Sequence, residues 1–163
     1  MMVRVPCVLY DRGFAQCEED RCIGRLWSGG EQNRSISNQT LNQENTMAYV
    51  DGFVLPMPAK NVASYKKMAA MGCKVWMEHG ALAYAECLAD DMKTPMGVPL
   101  TKMAGTKSGE TVVFAWILYK NKAHRNKVNK AVMKDPRLAA LPNPMPFDCK
   151  RMAYGGFKVI VQS

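Results

Sequence analysis

The chain has 163 residues, a formal net charge of +8, 48% hydrophobic residues and 22% charged residues. Those proportions suit a globular protein with one sizeable core. They exclude a membrane-spanning helix, because no apolar run approaches the roughly 18 residues that one needs.

The first 46 residues read differently from the rest. Arg4, Asp11, Arg12 and Glu18 interrupt any leader-like apolar stretch, so the cytoplasm is the expected location. Glu31 to Thr46, EQNRSISNQTLNQENT, carries only Ile36 and Leu41 as apolar residues. Such a segment buries too little surface to offset its ordering entropy. Residues 1–46 are therefore expected to be a disordered or poorly structured extension, and residues 47–163 the folded domain. The charge divides along the same line. The extension holds five Arg against six acidic residues, and the domain 17 Lys and Arg against eight acids. A basic domain would tolerate an anionic partner, although a solvated lysine-rich surface explains the charge as well. Cys17 and Cys22 resemble half of a metal site, but no second cysteine pair or nearby histidine completes it. No metal and no cofactor are expected.

From Met47 the elements follow in order. Ala48–Leu55 alternates as a strand that Pro56 and Pro58 are expected to close. Val62, Tyr65, Ala69, Gly72, Trp76 and His79 then recur at helical spacing, and Gly80 supplies the cap. Ala81–Leu88 reads as a second strand. Residues 90–109 form a long loop. Glu110–Tyr119, ETVVFAWILY, is the strongest strand in the chain. Lys122–Lys134 is a second helix, ended by Asp135-Pro136, with a short turn expected over Arg137–Leu141. Met152–Val161 is the last strand, where Gly155-Gly156 marks a bulge or a close backbone approach. The expected fold is α+β: a ferredoxin-like βαββαβ chain with a four-stranded antiparallel sheet.

Strand parity sorts the side chains onto two faces. One set is mostly small or branched: Val50, Gly52 and Val54, Ala81, Ala83, Ala85 and Cys87, Val113, Ala115 and Ile117, Ala153, Gly155 and Phe157. This set is expected to lie under the helices. The other set is aromatic and acidic: Tyr49, Asp51 and Phe53, Tyr84 and Glu86, Phe114 and Trp116, and Tyr154. Both faces of the third strand are apolar, so both call for cover. A second copy of the sheet is the economical cover for the face without helices, which predicts a homodimer through that face.

The candidate site follows from the aromatic and acidic set. Asp51 and His79 are the candidate catalytic base or acid. Asp51 and Glu86 share a face but stand two strands apart, roughly 10 Å between backbones. Tyr49, Tyr84, Glu86, Trp116, Arg151 and Tyr154 are the candidate ligand-binding residues. A buried carboxylate without a partner would have a raised pKa and serve as a base. Both carboxylates bonded to neighbours would instead be structural. His79 at a helix C-terminus could be tuned for proton transfer or simply cap carbonyls.

Four separated blocks, YVDGFVLPMPAKN (49–61), EHGALAYAECLADD (78–91), GETVVFAWILY (109–119) and MPFDCKRMAYGGF (145–157), resemble the YbaA-like family of small uncharacterised bacterial proteins. The resemblance covers 47–163 and implies a dimeric α/β-barrel with a ferredoxin-like fold. Its polar positions fall here on Asp51, His79, Glu86, Asp90, Asp91, Glu110, Asp148, Lys150, Arg151 and Tyr154. It implies no activity. The leading functional expectation is a homodimer that binds an unknown small molecule, in the manner of a cofactor-free enzyme related in fold to α/β-barrel monooxygenases. RNA binding through the basic surface is the alternative, weakened by the acidic residues on the aromatic face and the absence of an RNA-recognition motif. A structural or stress-response dimer without a ligand is the third.

Overall fold

A computed structural model describes residues 47–162; the expectation for residues 1–46 lies outside them. The described chain is α+β. Strand β1 (Tyr49–Pro58) leads through a 3-10 turn (Ala59–Asn61) into helix α1 (Val62–Glu78). Strand β2 (Ala83–Leu88), the single-turn helix α2 (Leu100–Met103) and strand β3 (Glu110–Tyr119) follow. Helix α3 (Lys122–Val132), 3-10 turns at Pro136–Ala140 and Cys149–Arg151, and strand β4 (Ala153–Lys158) complete it. The sheet has four strands in the order β2-β3-β1-β4, and each neighbouring pair is antiparallel. This is the split βαβ arrangement expected from the doubled pattern. No helix among the described residues is long and apolar enough to cross a membrane.

Local chemistry explains most element boundaries. Asn121 accepts a hydrogen bond from the His124 backbone N–H and so caps α3. Gly80, at φ 106°, turns the chain out of α1. The prolines of β1 do not end it as expected; the strand runs on through Pro58, opposite Glu110. The reason is pairing phase. The Ala59 N–H bonds Gly109 of the β3 side, so the nitrogens of residues 56 and 58 point the other way. There β4 has already ended, at the pair Val54 and Ala153. Neither proline removes a ladder bond.

The pairing register corrects the expected assignment of faces. Asp51 stands opposite Ile117 and Phe53 opposite Ala115, while Tyr84 stands opposite Ile117 and Glu86 opposite Ala115. The carboxylates therefore share a face with Val113, Ala115, Ile117 and Tyr119, and it is this face that α1 and α3 cover. Phe114 and Trp116 lie on the other side of the sheet, apart from the acidic residues. Two core clusters fill the covered face. One joins Val75, Trp76, Ile117, Tyr119, Val128, Val132 and Leu138; the second joins Leu55, Met57, Tyr65, Ala69, Val113 and Ala115. Phe53 packs against both.

Beyond the buried pair Pro56 and Val112, the open part of the other face is a grid without charge. Its three rows across the sheet are Ala83–Leu118–Val50–Phe157, Ala85–Trp116–Gly52–Gly155 and Cys87–Phe114–Val54–Ala153. Phe114 and Phe157 are 44% and 59% exposed there, which leaves two large apolar rings in solvent.

Candidate functional site

Where the two core clusters meet, the covered face leaves a cavity of about 100 Å³. Small residues on both sides make the room: Ala69 and Gly72 on α1, and Ala115 on β3. Phe53, Tyr65, Trp76, Tyr84 and Phe147 supply its aromatic lining, and Met68, Met133, Met145 and Met152 its flexible one. Loop 141–147 closes one side through Leu141, Met145 and Phe147. Asn61 holds that loop in place by donating to the Pro146 carbonyl at 2.7 Å.

One polar group sits in this wall. Glu86 receives the Tyr65 hydroxyl on Oε2 at 2.7 Å and the Tyr84 hydroxyl on Oε1 at 2.6 Å. Burial, and next the Glu86 charge, push both phenols well above their ordinary pKa of 10.0, so both keep their protons and act as donors. Gly72 permits the arrangement, since a Cβ there would stand 3.3 Å from the Tyr84 hydroxyl oxygen. Tyr65→Phe is expected to cost about 1.5–3 kcal/mol, the scale of a bond to a charged group. Tyr84→Phe should cost as much, and the double variant more than the sum, because it strips a half-buried carboxylate of both donors. Urea denaturation of the three variants checks this.

The expected site residues do not all converge here. Tyr84 and Glu86 line the cavity. Asp51 does not. It lies buried nearer α3, where Oδ1 takes the Arg125 Nε–H at 3.0 Å and Oδ2 takes the Asn129 amide at 3.1 Å. Asn129 in turn accepts from Tyr119 and from the Trp76 ring nitrogen. Burial pushes the Asp51 carboxyl above 3.8, with Arg125 drawing it back. Tyr49 holds Arg125 from the other side, with the guanidinium 5.1 Å above its ring centre. His79 follows the last turn of α1 and meets Asp135 at 2.9 Å, in a surface network that also contains Arg137 and Glu78. Trp116 faces the open side between Gly52 and Ala85. Tyr154 stacks on Phe53 with centroids 6.3 Å apart and is half exposed.

Arg151 is engaged in tying the loop before β4 to the start of β3. It binds Glu110 through both outer nitrogens, Asp148 through Nε and the Gly105 carbonyl. The Arg151 hydrogen bonds, then the Lys107 backbone N–H, bring the Glu110 carboxyl from 4.5 down to about 2. A carboxylate with a depressed folded pKa stabilises the fold above its unfolded pKa and loses that contribution as pH falls through the folded one. The denaturation midpoint should therefore fall between pH 4.5 and about 2. Arg151→Met should flatten part of that fall, read by urea melts at successive pH values.

Tyr65 and Arg125 are the residues that sequence reasoning underused. Tyr65 was visible as one member of an apolar stripe, and its hydroxyl called for a buried acceptor. Arg125 stands three and seven residues before Val128 and Val132, on the buried side of α3; an arginine on such a stripe signals a buried acid.

Fold and cavity together define a small α+β protein with a ferredoxin-like strand order and a largely apolar cavity beneath its helices. The chain belongs to the family described as "Protein of unknown function (DUF1428)", whose model matches residues 48–149. It is 41% identical over 115 residues to the uncharacterized protein YbaA of Escherichia coli strain K12, covering 71% of this chain and 98% of that relative. The YbaA protein of Shigella flexneri matches with the same figures. Among solved structures, an uncharacterized NIPSNAP domain protein from Burkholderia xenovorans is similar with a TM-score of 0.41 and 14% identity, over 67% of this chain and 91% of that one.

Proposed function

We propose that this protein binds a small molecule in the cavity between α1, loop 141–147 and the sheet, and that it works as a homodimer paired through the open sheet face. The observation that carries the binding reading is the Tyr65–Glu86–Tyr84 cluster set into an otherwise apolar lining. Ligand sites combine a hydrophobic wall with a few placed polar groups in this way. A cofactor-free enzyme built on this site would use Glu86 as its proton acceptor, since Glu86 lines the cavity while Asp51, bonded to Arg125 and Asn129, and His79, paired with Asp135, stand outside it. The dimer reading is supported by the twelve-position grid, which offers no charge to an anionic partner and exposes the Phe114 and Phe157 rings.

Native mass spectrometry of the protein purified from its host, with and without RNase, tests both parts. A dimer mass with a retained small molecule is the expected result. An RNase-sensitive mass would favour nucleic-acid binding instead, and a monomer at micromolar concentration would remove the dimer. Ala85→Arg, which sets a charge in the middle row of the grid, is expected to convert the dimer to monomer in light scattering while leaving the cavity intact.

A further inference from the structure

We infer that the ligand of this cavity is an apolar amine: a hydrocarbon body of about one ring carrying a protonated nitrogen. The inference rests on the reading of the cavity as a binding site, and adds the charge and the hydrogen-bonding sense of what enters it.

The size sets the body. A cavity of about 100 Å³ is on the scale of the roughly 150 Å³ apolar cavities that take up benzene. Charge sets the nitrogen. Glu86 is the one charged side chain among the described residues that line the cavity, and no Lys, Arg or His joins it. That is a marked inversion in a domain with 17 basic residues against eight acidic ones. An anion drawn to the basic surface would meet only a like charge inside.

The hydrogen-bonding sense sharpens this further. The hydroxyl protons of Tyr65 and Tyr84 are both committed to Glu86. What the cluster presents to the cavity is therefore lone pairs: those left on the two phenol oxygens and about two of the roughly four on the carboxylate. The polar wall accepts and does not donate, so its ligand must donate. An alcohol brings one donor and an ammonium brings three together with a charge. The rings of Tyr65, Trp76, Tyr84 and Phe147 border the same space, and aromatic rings around a carboxylate favour an organic cation over a neutral isostere.

Three probes of matched body decide the matter on the full-length protein at pH 7 and low salt: 2-phenylethylamine, 2-phenylethanol and 3-phenylpropionate, titrated by calorimetry. The amine is expected to bind roughly tenfold tighter than the alcohol or better, since a charge-assisted hydrogen bond is about twice as strong as a neutral one. The propionate should bind weakest. Equal affinity for amine and alcohol would overturn the inference and leave the cavity reading standing; binding of none of the three would overturn both. Glu86→Gln is expected to abolish the preference for the amine, with a thermal melt confirming that the fold persists. Should that variant not fold, the wild-type affinities still decide.

Discussion

Arg125→Met is expected to cost about 3–5 kcal/mol of folding stability, the scale for removing one partner of a buried ion pair. Arg125 is 4% exposed and Asp51 is 7% exposed, so the carboxylate left behind has little water to turn to. The loss should fall largely on the charge. Asp51→Asn combined with Arg125→Met removes both charges, leaves an acceptor for the Asn129 amide, and is expected to recover much of the stability. Guanidinium denaturation of the two single variants and the double gives the coupling directly. Additive losses would show that packing of the arginine stem, not the ion pair, carries the effect. The pair has a second signature. The Asp51 carboxyl lies above its ordinary 3.8 in the fold because burial outweighs its partners. Its contribution therefore declines as pH rises from 3.8, opposite in sign to that of Glu110.

Gly156→Ala is the second large effect, about 3 kcal/mol, the upper part of the range for overpacking a filled site. A Cβ at Gly156 would overlap the Tyr49 hydroxyl and stand 2.7 Å from Arg125 Nη2. Neither neighbour can retreat cheaply, because Tyr49 lies against the guanidinium and the guanidinium is held by Asp51. The requirement is for space alone. Gly72→Ala is the matched comparison. Its Cβ would press on the Tyr84 hydroxyl at 3.3 Å and make an ordinary contact with Trp76 at 3.9 Å, while alanine gains about 1 kcal/mol over glycine in a helix interior. A near-neutral result is expected there. Equal losses at the two glycines, measured by chemical denaturation, would contradict the steric account of Gly156.

Both variants bear on function through what they hold in place. The Asp51–Arg125–Asn129 group fixes α3 over β1 and keeps Trp76 and Tyr119 bonded through Asn129. Trp76 is one wall of the cavity. Asp51 thus supports the site from outside it, while Glu86 stands in the lining itself. Two carboxylates on one sheet face, separated by β3, have come to serve different ends.

Much of this was legible in the residues. The period-two runs at Ala48–Leu55 and Glu110–Tyr119 and the stripe from Tyr65 to Trp76 specify their own elements, because pleat and helical pitch are local properties of the chain. The doubled βαβ order, the small residues at Ala69 and Gly72 under α1, and the close approach at Gly156 can be read in the same way. Tyr84 and Glu86 could be placed on one sheet face because an acid and a phenol alternate with alanines on one short strand.

The sequence by itself could not decide which face of the sheet the helices cover. Alternation separates the two sides of a single strand but carries no phase from one strand to the next. In β3 both alternating sets are apolar, Val113, Ala115 and Ile117 on one side and Phe114, Trp116 and Leu118 on the other, so pattern gives no preference. The long-range pairings of Asp51 and Tyr84 with Ile117 settle it. They bring the acids under the helices, where Tyr65 and Arg125 can reach them, and turn Phe114 and Trp116 outward. Which acid lines the cavity is likewise a tertiary outcome, set by whether its partners come from α1 beside the cavity or from α3 beyond it.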